Sequence, residues 1–112
     1  MPKNPVLTCV WCGESEAAYE YQVFSIESVF RDIGGNYIFC ERDALGEWDP
    51  VYIGQSENLY DCLGDRALRD WMFENGATHI HAHLNRVAKK RNSEMEDIVR
   101  RFSPRLNRGI QV

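Results

Sequence analysis

No stretch of this 112-residue chain approaches the roughly 20 consecutive apolar residues that a membrane-spanning helix needs. A secretory leader is not expected either, because "MPKNPVLTCVW" carries one lysine and no apolar core ending in a cleavage site. Those two absences lead to the expectation of a cytoplasmic protein whose four cysteines stay reduced. Positive charge is not in excess: 13 Lys and Arg stand against 17 Asp and Glu, a net −4, which argues against a strongly basic nucleic-acid binder. Repeats, low-complexity segments and Pro- or Gly-rich linkers are all lacking. One domain spanning 1–112 is expected, large enough to bury a core without staples.

The charge that is present is unevenly placed. Residues 1–85 hold five basic and fourteen acidic side chains, whereas 86–112 hold eight basic and three acidic. A basic segment on an acidic body can touch phosphates locally, with counterion release supplying affinity. The plainer reading is a solvated helix face that neutralises the rest of the molecule.

Hydrophobic periodicity sets out the elements. "VLTCVWC" and "YEYQVFSIES" read as strands around the polar turn "GESEAA", the second with both faces partly buried. "GNYIFCERD" and "PVYIG" pair as an antiparallel hairpin across the turn-like "DALGEWD". Ser56 is placed to cap a short helix through Leu63, and a second helix runs through Asn75 to a left-handed stop at Gly76. "THIHAHL" alternates as a strand. Ser93 and Glu96 have capping-box spacing for a last helix carrying Met95, Ile98, Val99 and Phe102, which Pro104 ends. Strands followed by helices on a small sheet make an α+β fold.

"GGNYIF", "VYIGQSENLYDCL", "GATHIHAHL" and "EMEDIVRRFSPRLN" together resemble the GIY-YIG nuclease superfamily, over about Gly34 to Asn107. The specificity lies in the ordered set: two tyrosine–glycine strands at hairpin spacing, a helix starting "NL", and a helix ending in Pro-x-Leu-Asn. The resemblance implies a small antiparallel central sheet flanked by helices over 34–107. Residues 1–33 would then be an added N-terminal β-hairpin.

In active members of that family, one divalent metal, a tyrosine, an arginine and a glutamate cut a phosphodiester. The metal neutralises the leaving group, and the arginine meets charge developing on phosphorus. Motif by motif, the resemblance puts Tyr37 and Tyr52 in the places of the two tyrosines. It puts Gly54 beside the scissile phosphate and Asn107 in the place of the terminal asparagine. The arginine's place holds Cys62, and the glutamate's place, counted back from Ile98 and Val99, holds Met95. Arg66, one turn beyond Cys62 if the helix survives Gly64, and Arg69 are the candidate stand-ins for the arginine. Glu94, four residues before Ile98, is the candidate metal ligand, with Mg or Mn as the cofactor of an active enzyme; Glu96 has its cap to make instead. Arg86, Lys89, Lys90 and Arg91 are the candidate phosphate contacts.

Other metal chemistry is written only in part. Cys9 and Cys12 have the spacing of half a structural zinc knuckle, but no second Cys-x-x-Cys completes it. His79, His81 and His83 share one strand face, which could hold a metal or simply line an exposed sheet edge. Two function classes follow. One is a nucleic-acid-binding or interaction module on a scaffold lacking the family's arginine and glutamate, with DNA or another nucleic acid as the expected partner and a protein as the alternative. The other is a metal-dependent DNA endonuclease whose catalytic residues have relocated.

Overall fold

The computed structural model describes residues 7–109. Strands β1 (Thr8–Cys12), β2 (Ala18–Ser25), β3 (Gly35–Arg42), β4 (Trp48–Ser56) and β5 (His79–Leu84) make one sheet in the order β1-β2-β5-β3-β4, with every neighbouring pair antiparallel. Helices α1 (Leu59–Leu63) and α2 (Arg66–Glu74) follow β4, while α3 (Ala88–Phe102) and α4 (Arg105–Gly109) follow β5. The expected α+β architecture is present. The last strand to form in sequence is the middle strand in space, joining the β3–β4 hairpin to an N-terminal β1–β2 hairpin. Among the described residues, no helix is long and apolar enough to cross a membrane.

Both sheet faces are covered, which explains why β3 is buried along six consecutive residues. On one face Tyr37, Phe39, Val51, Ile80 and Ala82 pack against Leu59, Leu63 and Met72 of α1 and α2, with Phe30 closing the cluster. On the other, Trp11, Tyr21, Ile38, Cys40 and Ile53 pack against Ile98 of α3, with Met95, Val99 and Phe102 at the margin. Each such Ile, Leu or Phe contributes roughly 1.5–3 kcal/mol when fully buried. A register shift between Phe39 and Cys40 lets Val51 and Tyr52 both join the first cluster, although strand residues otherwise alternate.

Two expected caps are corrected. Asn58, not Ser56, caps α1: its side chain accepts from Asp61 N–H, while β4 continues through Ser56. The Ser56 hydroxyl instead accepts from Asn58 N–H at 3.0 Å, steadying the strand-to-helix corner. The Ser93–Glu96 box does not form, because α3 starts five residues earlier. The N-cap of α3 is Val87, whose own N–H donates to Asn85 Oδ1 at 2.9 Å, and no side chain caps the helix. Ser93 lies within the helix and donates to the Lys90 carbonyl, the usual fallback of an internal serine. Glu96 reaches Arg100 across one turn, at 3.8 Å. The stop after α2 is as expected: Asn75 ends the helix, and Gly76 has φ +102, a conformation costly to other residues.

Candidate functional site

Tyr37 and Tyr52 lie on adjacent antiparallel strands and project from the same sheet face. Their ring centroids are 6.3 Å apart with planes tilted by 37°. Tyr37 is buried and Tyr52 half-buried. The Cys62 thiol of α1 donates to the Tyr37 hydroxyl oxygen at 3.6 Å. Burial pushes both phenols up from their ordinary value, Tyr37 much further. A phenol so displaced holds its proton at neutral pH and makes a poor base for activating water.

The residues proposed to complete this centre lie elsewhere. α1 ends at Gly64, and Asp65 starts α2 by accepting from the Ala67 and Leu68 N–H groups. The helix therefore does not continue past Gly64, and Arg66 does not follow Cys62 on the same face. Its side chain is 70 % exposed and lies 4.0 Å from Asp70. Arg69 donates to the Ile26 and Ser28 carbonyls and so latches the β2–β3 connection onto α2. Glu94 lies across the sheet from the tyrosines. It is within 3.4 Å of Asn36 Nδ2 and 3.5 Å of His83 Nε2, both from residues whose side chains alternate away from Tyr37 and Ala82.

Two other expected contacts have structural duties. A Cβ on Gly54 would come 2.5 Å from the Tyr37 hydroxyl oxygen, so the glycine makes room for a tyrosine ring across the strand pair. Asn107 is joined to the edge of β4 by two bonds: its Oδ1 accepts from Ile53 N–H and its Nδ2 donates to Ile53 C=O, each at 2.8 Å. This side chain stands in for a neighbouring strand, which an edge otherwise lacks.

The basic segment separates into two parts. Arg86, Lys89 and Lys90 are exposed and make no ion pair among the described residues. Arg91 is buried, only 5 % exposed, and donates to Gln55 Oε1 at 3.0 Å and the Asn85 carbonyl at 3.1 Å. Its expected role as a phosphate contact is corrected, because seven residues before Ile98 a helical side chain faces the sheet. Through Gln55, Arg91 fixes the start of α3 to the end of β4, one residue beyond Gly54.

The thiol pair and the histidines disperse. Cys9 and Cys12 occupy one strand at a spacing of three, which sends their side chains to opposite faces; Cys9 packs in the cluster beneath α3. The three histidines do share a face, but β5 is the central strand and not an exposed edge. His79 contacts Thr78 and Trp48, His81 is fully buried and accepts from Trp11 Nε1–H, and His83 meets Glu20 and Glu94. Among the described residues, no three His, Cys, Asp or Glu side chains converge as a metal-binding group.

The reading from sequence passed over Asn36 and Asp97. Asn36 is a fully buried amide directly before the apolar run Tyr37–Cys40, and that oddity was itself a visible cue. Asp97 accepts from Ser15 N–H, the Ser15 hydroxyl and the Tyr19 hydroxyl, at 2.9, 2.7 and 2.7 Å, bolting the N-terminal hairpin onto α3. These bonds, Ser15's first, hold its carboxyl below the usual range. A scan of this chain against protein-family models found no match, and searches of curated proteins and of solved structures found none.

Proposed function

We propose that this chain is a non-catalytic nucleic-acid-binding module on a GIY-YIG nuclease-like scaffold, with DNA as its partner. The observation that carries the reading is the Tyr37–Tyr52 pair, side by side on one face with the Cys62 thiol where a catalytic guanidinium would be needed. A thiol brings no fixed positive charge to a phosphate, and neither Arg66 nor Arg69 makes good the loss. Met95 belongs to the apolar packing beneath α3, so the place of the metal ligand carries no charge either. Exposed Arg86, Lys89 and Lys90, unpaired by any described carboxylate, supply the phosphate contacts.

Fluorescence anisotropy with duplex, branched and single-stranded DNA over a series of salt concentrations tests this. Binding should fall as salt rises. Changing Lys89 and Lys90 together to Glu should weaken it and reduce the salt slope by about 2, roughly 1 for each lost phosphate contact. Unchanged affinity in that variant would refute the assigned surface, and no binding at low salt would refute the nucleic-acid reading. Cleavage with Mg²⁺ or Mn²⁺ that Tyr52→Phe abolishes would establish the endonuclease alternative instead.

A further inference from the structure

The outer strands of the sheet are β1 and β4, and the two are finished differently. β4 carries Pro50, which has no N–H to offer, and the Asn107 amide occupies both backbone groups of Ile53. β1 has no such device. Thr8–Cys12 contains no charged residue and no proline, and its register with β2 runs without a bulge.

Two bonds at the ends of the β1–β2 hairpin fix which backbone groups lie on the open side. Val23 N–H donates to the Leu7 carbonyl at 2.8 Å, and Gly13 N–H donates to the Ala17 carbonyl at 3.0 Å. Bonded pairs alternate along an antiparallel ladder, so Leu7, Cys9, Trp11 and Gly13 turn their N–H and C=O groups toward β2. Thr8, Val10 and Cys12 turn theirs outward. Among the described residues, none of these outward groups has a backbone partner. Their one side-chain contact is long, from the Cys9 thiol to the Val10 carbonyl at 4.0 Å. Val10, at the middle of the strand, is 57 % exposed, and Leu7 just before it is 56 % exposed. An uncharged, apolar edge with free backbone groups is a template for another strand.

The strand is complementary to a second copy of itself. Antiparallel pairing about a two-fold axis at Val10 sets Val10 against Val10, Thr8 against Cys12 and Cys9 against Trp11. The pairs built from Thr8, Val10 and Cys12 exchange two bonds each, about six backbone bonds in all. No charged side chain meets its like across the join, and the two exposed valines cover each other. We propose that this chain forms a two-fold symmetric dimer through β1, its two sheets becoming one continuous sheet. Opposed residues of an antiparallel pair project from the same face, so the axis stands perpendicular to the sheet and both α3 helices cover one side. The contact uses none of the cations of α3 and is independent of nucleic acid. Five residues from each copy make a small interface, so the copies separate on dilution.

Sedimentation equilibrium of the tag-free full chain, from low to high micromolar concentration with a reductant present, tests the dimer. Hydrogen exchange at the Val10 amide tests the edge. The wild type should pass from monomer to dimer as concentration rises, and exchange at Val10 should slow in step. Val10→Lys places a cation opposite its own copy and should weaken association at least about tenfold. The same change sets that cation beside Glu20 of β2, which favours the folded monomer. Val10→Pro removes an N–H that β2 does not use and should weaken association as well; if it fails to fold, Val10→Lys still decides. Leu45→Lys, at an exposed apolar residue between β3 and β4, should leave association unchanged. A wild type that stays monomeric at every concentration would overturn the proposal. So would dimerisation of Val10→Lys like the wild type, or exchange at Val10 that is equally slow at all concentrations, which would mean that another segment of the same chain covers the edge.

Discussion

Acid should loosen this protein well above the pH at which its carboxylates titrate, and His81 is the reason. The imidazole is fully buried at the centre of the sheet, with Nδ1 accepting from Trp11 Nε1–H at 2.9 Å. The Trp48 ring packs edge-on against it, with centroids 4.5 Å apart. Protonation would set a new N–H against the Trp11 donor and place a charge where nothing solvates it. Burial, and secondarily the neighbouring His79, therefore pushes the His81 pKa down from 6.5 to about 4. Because the unfolded chain takes up the proton first, the stability conferred by the neutral ring is complete above pH 6.5. It declines as pH falls from there and has been lost once pH passes below about 4. A displacement of that size corresponds to about 3 kcal/mol, a large share of the roughly 5–15 kcal/mol typical of a domain. His79 is lowered as well, by burial and then by Arg42, and adds in the same direction.

Urea unfolding followed by tryptophan fluorescence between about pH 7 and pH 4.5 measures the effect directly. His81→Gln gives Trp11 an uncharged acceptor, so this variant should lose most of the slope while remaining folded at neutral pH. A wild-type midpoint that stays flat across that window would refute the reasoning. So would a His81→Gln variant that keeps the wild-type slope.

Two further substitutions probe how the tyrosine face is held. Gly54→Ala drives a methyl group against the Tyr37 hydroxyl and should cost about 1–3 kcal/mol, seen as a lower urea midpoint; an unchanged midpoint would show that the ring moves aside freely. Asn107→Ala removes both bonds to Ile53 and should cost about 1–3 kcal/mol, with faster hydrogen exchange at the Ile53 amide. Exchange as slow as in the wild type would mean that the edge of β4 is protected by something else.

Much of the fold was legible because it rests on local pattern. Alternation marked β2 and β5, turn-like connections marked the β1–β2 and β3–β4 hairpins, and Gly76 and Pro104 marked two helix ends. What could not be read was where the strand outside the two hairpins would pair. "THIHAHL" gives no sign that it will pass between two hairpins, so its histidines looked like an edge when one of them is central to the core. The site was legible to a similar degree. The tyrosines pair as hairpin spacing required, whereas Arg66 depended on a helix continuing through Gly64, where Asp65 instead begins another. Arg91 shows a readable signal outweighed by charge: its spacing from Ile98 marked it as buried, but a run of basic residues suggested a phosphate contact. Ser93–Glu96 satisfied a capping motif in the wrong turn, because the helix had already begun at Ala88. Such local motifs compete, and only the tertiary position of α3 decides between them.

The place of β5 at the centre of the sheet has a consequence for how the chain is made. During synthesis, everything through Ser56 can emerge as two separate hairpins, β1–β2 and β3–β4, which share no ladder with each other. An isolated two-stranded hairpin is marginal in water, so neither consolidates alone. Only His79–Leu84 bridges them, pairing with β2 on one side and β3 on the other. Until that segment clears the ribosome, four strands wait with unpaired edges. The nascent chain is then open to chaperones, to proteases and to strands of neighbouring copies, and arrival of the fifth strand ends the wait for both halves together.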